Sequence, residues 1–181
     1  MSSQSTTTVK PRQGIGRVSI VLYAALVAVL VDQATKYAAV VGLRTHPQGV
    51  SFGVLHLGLV FNPGNAATQA FQPVPTMLLQ HAAVVVTFIF FAFVVKNVVA
   101  RFGIGLILGG IIGNTISLLT GNHQVPDFIR LGAVWTCNVA DIYIATGGLL
   151  LVAGAGATVT AALNRSLTKT PSTLETVALD T

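Results

Sequence analysis

The chain is a series of apolar blocks separated by short polar breaks. Blocks at 18–41, 77–95, 102–119 and 142–163 carry few charges. Each is close to the roughly 20 residues that cross a bilayer as a helix. They predict an all-α polytopic membrane protein, one compact bundle of four transmembrane helices over 18–163. The flanks differ: residues 1–17 and 164–181 are Ser/Thr-rich without apolar periodicity, which predicts a disordered arm and a disordered tail. Basic residues precede the first block, as in a cleaved signal peptide. The block nevertheless continues through "DQATKYAAVVGL" without a small-x-small exit, so an uncleaved first helix fits better.

Within loop 42–76, "VSFGVLHLGLVFN" places apolar residues at Val50, Phe52, Val54, Leu57, Leu59 and Phe61. This partial alternation suits strands better than a helix, and the surrounding Pro and Gly residues punctuate it. It predicts a small β-cradle on the membrane surface. The third block spaces Gly105, Gly109, Gly113 and Ser117 four apart, a small-residue stripe for close helix packing. Asn114 beside it is a costlier residue to keep in a membrane.

Composition supports the membrane reading. Of 181 residues, 52% are hydrophobic and 8% charged, against roughly 25% charged in soluble domains; mean hydropathy is +0.76. The net charge of +5 comes without a basic stripe interleaved with aromatics, so no nucleic-acid partner is expected. The basic residues instead mark topology. Lys10, Arg12 and Arg17, then Lys96 and Arg101, then Arg165 and Lys169 cluster at three places. The positive-inside rule puts both termini in the cytoplasm and loops 42–76 and 120–141 outside.

The body of the chain holds three carboxylates, Asp32, Asp127 and Asp141. Asp32 lies fourteen residues past Val18, about 21 Å along a helix, so all three fall near the outer boundary. Lys36, one turn after Asp32, makes a structural pair in the favourable order. Asp127 has Arg130 three residues on as a possible surface partner. Asp141 opens the fourth helix, where an acid suits the free N–H groups; that capping role is the plain reading. The other reading is catalytic. Asn62, Asn114 and Asn138 are expected on the same side, and carboxylates ringed by neutral amides suit proton sharing. Two close carboxylates cannot both ionise easily, so one can activate water while the other donates to a carbonyl oxygen, as in aspartic proteases. Rival chemistries are weaker. His46, His56, His81 and His123 lack ligand spacing, so no metal site is expected, and there is no G-x-S-x-G elbow. Cys137, with His123 as base, is a poor nucleophile candidate because buried thiols are mostly inert.

The segments "VDQATK", "NPGNAA", "GGIIGN", "VPDF" and "CNVAD" resemble, in order, motifs of the lipoprotein signal peptidases (signal peptidase II). The resemblance spans residues 18–163. It implies four transmembrane helices, a β-cradle and an extracytoplasmic helix over the active site. It also implies an aspartic endopeptidase of the bacterial cytoplasmic membrane without cofactor or metal. The implied substrates are diacylglyceryl-modified prolipoproteins, cut just before the lipid-modified cysteine, with membrane lipid as a further partner and a monomeric state. The dyad then falls on Asp127 and Asp141, supported by Asn62, Asn114 and Asn138, with Asp32 and Lys36 as the structural pair. The chain departs from the family at Ser117 and Leu118, where G-N-x-x-D-R has Asp and Arg. It also departs at Phe61, Ala67 and Cys137, where Arg, Phe and Phe are usual. Joint loss of a buried Asp–Arg pair can be nearly neutral. Two readings stand beside the peptidase: a non-catalytic relative that binds lipidated or signal peptides, and a small transporter subunit relaying ions through Asp32 and Lys36.

Overall fold

The computed structural model describes residues 15–63, 73–132 and 135–168. In order, these form α1 (Ile15–Leu43), β1 (Val50–Phe52), β2 (Leu55–Asn62), α2 (Val74–Val94), α3 (Val98–Thr120), β3 (Val125–Leu131), β4 (Trp135–Cys137) and α4 (Val139–Thr168). All four helices are long and apolar enough to cross a membrane. The extracytoplasmic helix implied by the resemblance is not among the described residues; 64–72 and Ala67 lie outside them, as do most of the predicted arm and tail.

The helices outrun the apolar blocks. Residues 15–17 and 164–168, expected in the arm and tail, are helical. Polarity marks where lipid ends, whereas a helix ends at a breaker, and 164–168 contain neither Gly nor Pro. Starts are better signposted. Pro75 in the first turn of α2 presets its backbone. Asn97 caps α3 by accepting from the Val99 and Ala100 N–H groups.

α3 is the central helix. Of its spanning window 67% is buried, against 11–28% for the other three. Its small-residue stripe meets α1, with Gly105 against Ala24 and Gly109 against Ala28. A Cβ at Gly113 would stand 2.5 Å from an Asp32 carboxylate oxygen, so that glycine makes room for a charge. On another face, Gly103 of α3 and Gly147 of α4 meet backbone to backbone. Such contacts bring main chains close enough for dispersion to hold helices together in lipid.

The predicted cradle is a four-stranded antiparallel sheet, β1-β2-β3-β4, which packs against α1 and α3. β3 and β4 come from a stretch read only as loop, and they make half of the sheet. A register shift between Leu57 and Val60 is followed by the pairing Val60↔Asp127 and Asn62↔Val125. Met77, Leu118 and Val125 form a buried apolar cluster joining α2, α3 and β3.

Candidate active site

Asp127 sits on β3, not in a loop, and is 2% exposed. Pairing of β2 with β3 brings Asn62 to it across 65 residues of sequence. The Asn62 amide donates to Asp127 Oδ2 at 3.0 Å and the Asn138 amide to Oδ1 at 2.6 Å. Burial pushes the Asp127 carboxyl above its ordinary range. The two amides pull it back, the charge of Asp141 adds to the rise, and Lys36 opposes it. Arg130 takes no part: it is exposed and stands across the ladder from His56 and Thr136.

Asp141 is the third residue of α4. Asn138 Oδ1 accepts from the Asp141 N–H at 3.2 Å, and Asp141 Oδ2 accepts from the Asn138 N–H at 3.1 Å. This reciprocal pair is a capping box, which satisfies two helix-end donors. The capping reading of Asp141 therefore holds, but it uses only Oδ2. The other oxygen accepts from the Asn114 amide at 2.9 Å. Asn138 joins the carboxylates, its side chain on Asp127 and its main chain on Asp141.

Asp32 and Lys36 form an ion pair at 2.8 Å with side chains 0% and 4% exposed. The pair reaches further than its own helix. Asp32 Oδ1 accepts from the Ala140 N–H at 3.0 Å, taking another free donor of α4. Gln33 donates to Asp32 Oδ2 and to the Gly113 carbonyl. Lys36 also donates to Asn114 Oδ1 at 2.7 Å. A lysine can only donate, so it fixes the Asn114 amide with its NH2 turned to Asp141. Nothing local in the sequence links positions 36 and 114, so the part of Gln33 and this one-residue bridge emerge only in the fold.

Both aspartates and all three asparagines line a cavity of about 60 Å³, closed by Met77, His81, Leu118 and Val125. It has room for a few waters. His81, passed over in the sequence for want of ligand spacing, belongs to this wall. Among the described residues no three His, Cys, Asp or Glu side chains cluster as metal ligands. Cys137 ends β4 buried. Burial, then the charges of Asp141 and Asp127, push its thiol up, which leaves it a poor nucleophile.

A family model for signal peptidase (SPase) II matches residues 24–155. The chain belongs to the signal peptidase II family. Two similar relatives are lipoprotein signal peptidases. That of Mesorhizobium japonicum is 30% identical over 138 residues, 72% of this chain and 82% of the relative. That of Rhodococcus jostii is 30% identical over 132 residues, 70% of this chain and 67% of the relative. Two solved bacterial membrane enzymes share the fold. One has a TM-score of 0.64 at 21% identity, covering 85% of this chain and 93% of its own. The other scores 0.61 at 23% identity, covering 75% and 91%.

The two positions where the resemblance expects Asp and Arg, Ser117 and Leu118, are both buried. Leu118 is 0% exposed inside the Met77–Val125 cluster. Ser117 is buried, donates to the Gly113 carbonyl at 3.1 Å and lies 3.4 Å from Gln33 Nε2. Among the described residues no buried side-chain nitrogen or oxygen lacks a partner. Ser117 and Leu118 therefore sit in the interior without an orphaned polar group among the described residues.

Proposed function

We propose that this chain is an intramembrane aspartic endopeptidase that removes signal peptides from bacterial prolipoproteins, cutting before the lipid-modified cysteine. The observation that carries the reading is one cavity lined by two carboxylates whose partners are almost all uncharged amides. Among the described residues their direct hydrogen-bond partners include no cation, so the pair keeps its ability to share a proton. A water between them loses a proton to the ionised carboxylate as its oxygen attacks the scissile carbonyl. The other carboxyl donates its proton to the carbonyl oxygen. Collapse of the tetrahedral intermediate returns a proton to the departing amine and frees both peptide ends. The burial that raises Asp127 favours it as the proton holder. Asn62 and Asn138 hold its two oxygens, Asn114 holds Asp141, and no cofactor or metal enters a step.

The basic clusters at both termini and at Lys96 and Arg101 support a cytoplasmic-membrane protein with both ends inside. The site then lies near the outer face, where a lipid-anchored precursor presents its cleavage region. The test is a gel-shift assay of prolipoprotein cleavage by purified wild type, Asp127→Asn and Asp141→Asn. Cleavage by the wild type and its loss in both variants supports the reading; intact cleavage in either variant overturns the dyad. A folded wild type that binds precursor without cutting it makes the chain a binding relative instead.

A further inference from the structure

The wall of the cavity formed by α2 contributes one polar side chain, His81, which also borders a second space. A cleft of about 200 Å³ between α2 and α3 is lined by Leu78, Ala82, Val85, Ile112, Ile116, Thr115 and the same histidine. His81 thus stands where an apolar cleft on the side of the bundle meets the carboxylate cavity.

Its hydrogen bonding fixes what it can offer. The Thr115 hydroxyl donates to the Ile111 carbonyl at 2.7 Å, spending its one proton. The 2.8 Å contact between Thr115 Oγ1 and His81 Nδ1 then needs the proton on the imidazole. With Nδ1 protonated, the neutral ring presents Nε2 as a bare acceptor. Among the described residues nothing bonds to Nε2. The rest of the cavity offers little of that kind. Of the amide oxygens, that of Asn114 accepts from Lys36 and that of Asn138 from the Asp141 N–H; the carboxylates serve the water and the scissile carbonyl in the proposed reaction, and Met77, Leu118 and Val125 are apolar.

A peptide laid across the carboxylates brings N–H groups out of water, and each left unpaired weakens binding. We propose that His81 is a substrate-positioning residue whose Nε2 accepts a hydrogen bond from a backbone N–H of the precursor beside the scissile bond, in the tautomer that Thr115 sets. This deepens the peptidase reading and rests on the peptide lying in the dyad cavity.

The test is a binding measurement that does not depend on turnover. Fluorescently labelled lipidated precursor peptides, N-methylated singly at each of the three amides on either side of the scissile bond, are titrated onto full-length protein in nanodiscs. The proteins are wild type, His81→Phe, His81→Gln and Thr115→Val. The expected result is one position where N-methylation weakens wild-type binding about tenfold and leaves His81→Phe unchanged. His81→Gln keeps an acceptor near Nε2 and most of the methylation penalty; Thr115→Val loses part of it. If no position shows a penalty that disappears in His81→Phe, the proposal is overturned, and so it is if the wild type does not bind the peptides. A wild type that shows the penalty yet does not cleave keeps the His81 assignment and removes the peptidase reading, so the two fail separately.

Discussion

The protein holds carboxylates in two neighbouring settings, joined at the start of α4, and treats them oppositely. Asp32 is paired with a cation, and its oxygens also take a glutamine amide and a helix N–H. It ties α1 to the start of α4. Among the described residues Asp127 and Asp141 touch no cation; their direct partners are asparagine amides and main chain. A fully compensated charge holds helices in place, because any change of its protonation leaves a buried partner orphaned. A carboxylate compensated only by neutral dipoles can give and take a proton at lower cost. Lys36 connects the settings through Asn114, so in the proposed reaction the ion pair of α1 orients the amide that holds Asp141.

Exchanging charge at each setting breaks this contrast most severely. Asp127→Asn and Asp141→Asn should each lower cleavage by at least about a thousandfold while the protein stays folded. Asp32→Ala should instead act on stability, costing about 3–5 kcal/mol by stranding Lys36, and Asp32→Leu with Lys36→Met should recover much of that loss. Thermal unfolding in detergent reads the second effect. An Asp32→Ala protein that is fully stable yet inactive would erase the distinction between the two settings.

Lys36→Met sharpens the link. Freed from the ammonium, the Asn114 amide can rotate and present oxygen to Asp141, so kcat should fall about tenfold with KM little changed. A change confined to KM would contradict that role.

Asp127 gives a pH signature with a definite sign. Its folded carboxyl is raised above the ordinary 3.8, so the folded state holds a proton there that the unfolded chain has released. Stability from this group is fully present below that ordinary value and is lost as pH rises through the raised one. The same proton is consumed in the proposed reaction, so kcat/KM should decline on the alkaline side with an apparent pKa above 3.8. A pH–rate profile lacking that limb contradicts the assignment. The smallest effect is expected at Ser117→Ala. It removes hydrogen bonds to Gly113 and Gln33 and should cost within about 1 kcal/mol.

Much of this was legible in the sequence because lipid imposes a crude, strong pattern. Four apolar blocks announced four helices, and the glycine stripe announced a close helix contact, though not that α1 makes it. Helix ends were less legible, since 164–168 are polar yet contain nothing that stops a helix. β3 and β4 were missed altogether. "VPDFIRL" becomes a strand because β2 pairs with it from more than sixty residues away, and no local period announces such a partner. At the site, residue types narrowed the search to three carboxylates and three amides. The partnerships Asn62–Asp127, Lys36–Asn114 and Asp32–Ala140 are long-range, and so is the placing of His81 on the cavity wall. Only the folded register supplies them.

The central claim is that Asp127 and Asp141 hold one shared proton between them. The most direct measurement is infrared spectroscopy of the protonated-carboxyl carbonyl band at the pH of greatest cleavage, in wild type, Asp127→Asn, Asp141→Asn and Asp32→Asn. The account predicts one protonated carboxyl in the wild type, lost in Asp127→Asn and retained in Asp32→Asn. A wild type with no protonated carboxyl, or a band that disappears with Asp32 and not with the dyad, would contradict it.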